Sequence, residues 1–412
     1  MLGSGSPYFP SIAQGLCGSL AGHNLELRVC DKEPEASSRS LRWLDLLGIS
    51  HLCDAQVVQY DRLGWIGAFD LIIHMYRGGG MAGRVDDEQL ARSHGLLSQE
   101  TNGAVGILQA VRNVVELAHV AEVLQSRSPG ALHLMISNPV GVLTLAARRL
   151  GLDAVGLCEL PDLLNEKARA AGLIALDDFL LFNGPNHVHA AIGTVSKGRV
   201  EFSLDDKAWF AMYGDGQPAN LPQSAELRGL ADALGVLPSP YLKYYVRDDE
   251  PDDSADSTTR AEVVQRMNVG ICEALDHGDT REYDRRLRSR GGHHLAPVVA
   301  RVVGSLSGVG SPAVATLCIP RVLEVAGEMV ECALETTSIV STTGATPVES
   351  PIAVGLLPMW VPIALCESSV ATAALNGDRD LLRAVASVHP LIKTASLPLP
   401  FDLHSCSPRY GH

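Results

Sequence analysis

Three short apolar runs constrain this chain most. LELRVC (25–30) stops at Asp31, FDLIIHM (69–75) runs into an Arg-Gly-Gly-Gly turn at Arg77, and LHLMIS (132–137) stops at Asn138-Pro139. Each has the length of a buried strand and ends at a polar loop. Between them apolar residues recur at three- and four-residue spacing, notably over 11–21 and 105–126, which is the period of a helix. Strand, helix, strand in this rhythm predicts an α/β fold with a parallel, doubly wound sheet, because parallel neighbours need a crossover and the helix supplies it. Ligands of such sheets bind beyond the carboxyl ends of the strands. That places residues 3–6, Asp31, Arg77 and Asn138 on one rim.

Past Cys158 the pattern turns mixed. AGLIALDDFLLFNG is followed by HVHAAIGTVSKGRVEFSL, which has hairpin character, and then by long helical stretches at 222–235, 257–276 and 294–307. IAVGLLPMWVPIAL (352–365) carries two prolines and is too short to span a bilayer, so core strand and loop are expected there. RDDEPDDSADSTTR (247–260) is acidic and almost free of apolar residues, the composition of a solvated loop. No internal repeat is visible. A hydrophobic content of 46% over 412 residues is ample for one large domain or two. With 33 Lys and Arg against 47 Asp and Glu, the net charge of −14 disfavours nucleic acid and anionic membranes as partners, and an anionic ligand must be met by local arginines. Nine cysteines (Cys17, Cys30, Cys53, Cys158, Cys272, Cys318, Cys332, Cys366 and Cys406) are scattered singly, so a reducing cytoplasm is the expected location. No basic region followed by an apolar stretch opens the chain, and no signal peptide is expected.

Four constellations carry candidate chemistry. GSGS (3–6) with Asp31 has the layout of a dinucleotide site: Gly3, Gly5 and Ser6 let a pyrophosphate approach the backbone, and Asp31 accepts from ribose hydroxyls. Such a turn works only when a buried strand delivers it, and here only Met1 and Leu2 come before it. The same residues also suit a plain glycine-rich turn with Asp31 capping a strand end. RGGGMAGRVDDEQLARSHGLLSQETNG (77–103) sets Arg77 and Arg84 around glycines before an acidic helix start. Arg84 can fork onto a phosphate or carboxylate, or belong to a surface salt-bridge cluster. Cys158 in GLCELP, with His187 and His189 in NGPNHVHA, offers half the shell of a borderline divalent metal, or else a buried thiol and core histidines. LPSPYLKYYVRDDE holds Tyr241, Tyr244 and Tyr245, which either pack with their hydroxyls tied off or, beside a metal, ionise and act as a base.

In chain order, GSGSPYFP, RVDDE with SQET, SNPVG, CELP, NH and YLKYY…TRAEVV resemble the signature blocks of the family 4 glycoside hydrolases, the NAD- and manganese-dependent glycosidases. The resemblance continues through VECALETT, GLLP and ALNGDRDLLRAVASVHPL, over essentially the whole chain. It implies a Rossmann-type NAD-binding domain (1–160) followed by an α+β domain for substrate, metal and oligomerisation (161–412), lactate/malate dehydrogenase-like, in a homodimer or homotetramer. It also implies an exception to two-carboxylate hydrolysis. NAD⁺ takes a hydride from C3 of the sugar, a base removes the newly acidic C2 proton, and the glycosidic oxygen leaves by elimination. Water then adds and NADH returns the hydride, while Mn²⁺ or another divalent ion polarises the C3 oxygen.

By position the resemblance makes Cys158 and His187 metal ligands, Tyr241 the C2 base, and Arg84, Asn138 and Arg260 substrate holders. Gly3, Gly5, Ser6, Asp31 and Arg77 form the NAD-binding set. Position 159 is Asn, Asp or His in the family's subgroups; here it is Glu159, a carboxylic acid able to protonate the leaving oxygen, and Pro161 of the phospho-sugar groups is retained. GPNH stands where the family has GLNH, and RGGHHL (290–295) lacks the usual aromatic residue. The first strand is expected to be missing from the sequence as written, through a start placed too late, with weak NAD⁺ binding as the consequence. The expected function is that of a 6-phospho-β-glucosidase. The alternatives are a 6-phospho-α-glucosidase, an NAD-dependent hydroxy-acid dehydrogenase and a non-catalytic sugar-phosphate binder.

Overall fold

The computed structural model describes residues 1–392 apart from 66, 215–224, 247–257, 326 and 351–352, so most of the acidic segment expected as a solvated loop lies outside the described residues. The first half alternates as its periodicity predicts: α1 (Phe9–Ser19), β1 (Glu26–Val29), α2 (Pro34–Leu46), β2 (Asp54–Val57), β3 (Leu71–His74), α3 (Gly80–Ser93), α4 (Gly103–Arg127), β4 (Leu132–Met135), α5 (Val140–Arg149) and β5 (Asp153–Gly156). β1 pairs with β2, and β3 with β4 and β4 with β5, all parallel.

Leu2 lies between these two groups, with parallel bridges to Cys30 on one side and His74 on the other. Its N–H donates to the Ile73 carbonyl at 2.9 Å, and the next N–H, that of Gly3, donates to Cys30 at 2.8 Å. The strand that the sequence makes so short is therefore one bridging residue here. The order across the sheet is β2, β1, Leu2, β3, β4, β5, and the winding reverses between Leu2 and β3. A crevice opens at such a reversal, outside the carboxyl ends of the strands. Residues 3–6 and 75–77 both leave the sheet there.

The second half comprises α6 (Leu160–Ala170), β6 (Leu180–Asn183), β7 (Ala190–Thr194), β8 (Gly198–Arg199), α7 (Asp206–Tyr213), α8 (Ala225–Leu234), β9 (Leu237–Pro238), α9 (Lys243–Val246), α10 (Arg260–Asp276), α11 (Thr280–Arg290), α12 (Leu295–Leu306), β10 (Ala313–Val325), β11 (Glu328–Ser341), β12 (Gly344–Pro347), α13 (Leu357–Asn376) and α14 (Arg379–Val388). The expected hairpin is β7 with β8, flanked by β6 and β9. β10 and β11 form a long antiparallel ribbon, and Cys318 of β10 stands opposite Gly156 of β5. One sheet, β12-β11-β10-β5-β4-β3, thus runs through both halves of the chain.

The apolar run at 352–365 is not core strand and loop: from Leu357 it is the start of helix α13. Pro358 sits in the first turn, where a missing N–H costs nothing, while Pro362 lies further inside. The helix packs on α4, α5 and β11 and buries Cys366, Val370 and Ala371 in a core shared with Leu108, Val111 and Leu117 of α4 and Leu143 of α5. Trimming one of those leucines to alanine would cost roughly 2–5 kcal/mol. The run is apolar at nearly every position, so its hydropathy has no period that separates strand from helix, although its burial does, at Ala353, Leu356, Trp360, Ile363 and Ala364. Among the described residues, α4 and Val354–Asn376 are long and apolar enough to cross a membrane; 72% and 44% of those apolar windows are buried within the fold.

Candidate active site

A cavity of about 1240 Å³ opens at the reversal of winding, and every residue to which the resemblance gives a role lines it: Gly3, Gly5, Ser6, Asp31, Arg77, Arg84, Asn138, Cys158, Glu159, His187, Tyr241 and Arg260; His189 and Tyr245 are not in its lining. At one end the glycine loop turns from Leu2 into α1. Gly3 has φ +85°, and a Cβ there would lie 2.6 Å from the Tyr76 nitrogen. A Cβ on Gly5 would meet Ala36 Cβ at 2.8 Å and Asp31 Oδ2 at 3.0 Å. The loop is thus a cradle only glycine fits. Asp31 braces it: Oδ2 accepts from the Gly5 N–H at 2.9 Å and Oδ1 from that of Glu33 at 3.2 Å. Each oxygen keeps a lone pair for a ribose hydroxyl.

Further along, Arg84 on α3 is buried, an expensive place for a cation unless it is paired. Its Nε donates to Glu88 at 2.8 Å and one Nη to Glu100 at 2.7 Å. Burial alone would lower its pKa, but the Glu100 and Glu88 carboxylates outweigh burial and raise it. Glu100 also pairs with Arg77; against the upward push of burial, the two guanidiniums hold its carboxyl down to about 2. The other Glu88 oxygen accepts from the Ala261 N–H at 2.7 Å, at the start of α10, so one carboxylate locks Arg84 to the helix that begins with Arg260. Asn138, in a cis peptide bond to Pro139, has its carbonyl held by Asn113 Nδ2 at 2.7 Å.

At the far end Cys158 Sγ and His187 Nε2 approach to 3.4 Å. Burial lowers the His187 pKa to about 4, so the imidazole is neutral, the form that ligates metals. Burial, and then the Glu335 carboxylate, push the Cys158 thiol up. Thiol and imidazole suit a borderline divalent ion. Among the described residues no group of three His, Cys, Asp or Glu side chains converges, so an ion held here completes its shell with substrate and water. The Tyr241 ring stacks on His187, with centroids 4.3 Å apart and planes 10° from parallel; burial raises its phenol pKa. Glu159, partly buried, caps α12 through the His294 N–H at 3.1 Å, and burial lifts its carboxyl to about 7 although that bond pulls the other way.

The family 4 glycosyl hydrolase model matches residues 1–173, and the model of that family's C-terminal domain matches residues 187–392. The chain belongs to glycosyl hydrolase family 4. It is 25% identical, over 81% of its length and 77% of the relative's, to the probable 6-phospho-beta-glucosidase of Bacillus subtilis (strain 168). It is 24% identical, over 84% and 80%, to the 6-phospho-beta-glucosidase of Escherichia coli (strain K12). Its fold superposes on the 6-phospho-beta glucosidase of Thermotoga maritima, solved with NAD and glucose-6-phosphate, with a TM-score of 0.79, 20% identity and coverage of 95% of this chain and 92% of that one. A 6-phospho-alpha-glucosidase from gut microorganisms, with NAD and glucose-6-phosphate, gives 0.77, 18%, 98% and 96%.

Several residues of this family 4 chain carry the site without having been singled out. Glu88 and Glu100 lie inside RVDDE and SQET; Glu88 follows Arg84 by four residues on α3, the spacing at which helix side chains pair, whereas no spacing points Glu100 at Arg84. Of the two histidines in NGPNHVHA only His187 meets Cys158; His189 turns into the core and pairs with Glu335 of β11. Ser239 bridges two parts: its Oγ donates to the His187 carbonyl at 2.7 Å and accepts from the Tyr241 N–H at 3.3 Å. Candidate metal ligand and candidate base are thereby joined through one buried hydroxyl.

Proposed function

We propose that this chain is a cytoplasmic, homo-oligomeric glycosidase of 6-phosphorylated glycosides that works with NAD⁺ and Mn²⁺ or another divalent ion. The observation that carries the proposal is the convergence of Cys158, His187 and Tyr241 at one end of a cavity whose other end is the glycine loop with Asp31. A two-carboxylate hydrolase needs neither a dinucleotide cradle nor a thiol beside an imidazole. The names of the relatives, 6-phospho-beta-glucosidases and maltose-6'-phosphate glucosidases, and the NAD, manganese and glucose-6-phosphate in neighbouring structures support the same chemistry.

Gly3, Gly5, Ser6, Asp31 and Arg77 hold the NAD⁺, and Cys158 with His187 the metal. When bound, the nicotinamide supplies a hydride acceptor and donor, and the ion a Lewis acid at the C3 oxygen. The chain's own residues do the rest. Arg84, aimed by Glu88 and Glu100, holds the anionic sugar together with Asn138 and Arg260. Tyr241 takes the C2 proton; a buried phenol ionises when positive charge lies beside it, and its stacking on neutral His187 would set it next to a divalent ion held there. Glu159, with its carboxyl at about 7, gives a proton to the departing glycosidic oxygen and takes one from the water that adds.

A 6-phospho-β-glucosidase is the first reading. A 6-phospho-α-glucosidase is the second, favoured by the carboxylic acid at position 159. Assay of α- and β-linked 6-phosphoglycosides with NAD⁺ and Mn²⁺ in heavy water tests both. Aglycone release without net NADH, with deuterium at C2 of the sugar, is expected. NADH accumulating only when hydroxy acids replace the glycosides would make the protein a hydroxy-acid dehydrogenase, product without label would return it to ordinary acid/base hydrolysis, and binding without turnover would make it a sugar-phosphate binder.

A further inference from the structure

Glu335 stands in the middle of β11, within VECALETT, and is 1% exposed. The sheet register explains where it points its charge. Cys318 of β10 faces Glu335 on one side and Gly156 of β5 on the other, so Glu335 is level with the carboxyl end of β5, from which Cys158 follows. Burying a carboxylate is costly unless it is paired and hydrogen-bonded. Among the described residues no lysine or arginine pairs with it. Its Oε2 accepts from the His187 backbone N–H at 3.1 Å and makes a short hydrogen bond with His189 Nδ1, and its Oε1 has no partner.

The N–H it holds belongs to a strained residue. His187 is the non-glycine residue with positive φ among the described ones, at +63°, in a turn closed by the Val188 N–H on the Pro185 carbonyl at 2.9 Å. A left-handed conformation of a side-chain-bearing residue persists only when its surroundings over-determine it. Here the N–H is fixed by Glu335 and the carbonyl by Ser239 Oγ at 2.7 Å. Strain and an under-compensated buried charge therefore meet at one metal-ligand candidate.

We propose that Glu335 is a positioning residue for the metal site: it clamps His187 in the left-handed turn that presents Nε2 beside Cys158, and its fixed negative charge behind the two ligands favours a divalent cation. The proposal rests on Cys158 and His187 being the metal ligands. The test compares wild type, Glu335→Gln, which keeps an oxygen acceptor for the His187 N–H but not the charge, and Glu335→Ala, which loses both. Mn²⁺ affinity is read from the electron paramagnetic resonance signal of free Mn²⁺, NAD⁺ affinity by calorimetry on metal-free protein, and ligand geometry from the visible and thiolate charge-transfer bands of the Co²⁺ form. Glu335→Gln should weaken Mn²⁺ about 10-fold or more while retaining the Co²⁺ bands, and Glu335→Ala should weaken it further and shift them. NAD⁺ affinity should stay within about twofold, because the glycine loop lies at the other end of the cavity. Unchanged Mn²⁺ affinity in Glu335→Gln, with wild type binding normally, overturns the proposal alone. So does a parallel loss of Mn²⁺ and NAD⁺ affinity, which marks a purely structural carboxylate. Wild type that binds no Mn²⁺ overturns the metal-site reading together with it. If Glu335→Ala does not fold, the isosteric glutamine variant decides.

Discussion

Replacing Glu159 with glutamine should make the protein's stability less dependent on pH, in a direction that follows from where the carboxyl lies. Burial raises its pKa from 4.5 to about 7, against the downward pull of the backbone N–H groups at the start of α12. Between those two values the folded protein binds more protons at this site than the unfolded chain does. Stability therefore falls as pH rises through the window, and the contribution is gone above the folded value. With a tenfold change in proton affinity worth about 1.4 kcal/mol, the loss between about pH 5 and about pH 8.5 is at most about 2.5 kcal/mol, and less if the cavity admits water to the carboxyl. The Glu159→Gln variant would keep an oxygen for the His294 N–H and lose the titration, so the difference in unfolding free energy, variant minus wild type, should grow by that amount across the range. Urea denaturation of metal- and NAD-free protein at several pH values measures it, and groups common to both proteins cancel. A difference that does not change with pH would mean that Glu159 ionises like an exposed carboxyl, and its assignment as proton donor to the leaving oxygen would fall.

Other substitutions address the remaining parts of the site. Cys158→Ser or His187→Ala should lower Mn²⁺ affinity at least about 100-fold and abolish turnover with little change in melting temperature; full turnover in chelator-treated protein would refute the assignment. Tyr241→Phe should reduce kcat by about 10²- to 10⁴-fold and remove exchange at C2 in heavy water, while an unchanged rate would point to Tyr244. Gly3→Ala places a methyl group 2.6 Å from the Tyr76 nitrogen at a φ of +85°. NAD⁺ affinity should drop about tenfold or more with roughly 1–2 kcal/mol of stability, and unaltered affinity by calorimetry would place the pyrophosphate elsewhere.

The half of the molecule built from local signals was legible beforehand. Runs such as FDLIIHM and LHLMIS announce buried strands because every side chain in a parallel sheet meets a helix layer, and the loops after them had to share one rim because parallel strands end on the same side. Gly3, Asp31, Arg77 and Asn138 consequently fell together, and the ordered motifs added Cys158, His187 and Tyr241. The run at 352–365 hides its helix for a different reason: apolar residues at nearly every position leave no hydropathy period to distinguish a strand from α13, and only the burial of Leu356, Trp360, Ile363 and Ala364 shows the helical face.

What only the tertiary structure decided is the set of partners that make those residues work. Glu335 reaches His187 across 148 positions and Glu88 reaches Ala261 across 173, separations at which no period links one residue to the other. Position in a sheet register, not spacing along the chain, sets Glu335 level with the end of β5, and only a folded turn shows that Ser239 holds the His187 carbonyl and Tyr241 together. Chemistry-bearing side chains are visible as residue types in a sequence. Their orientation depends on hydrogen bonds whose partners become neighbours only when the chain has folded.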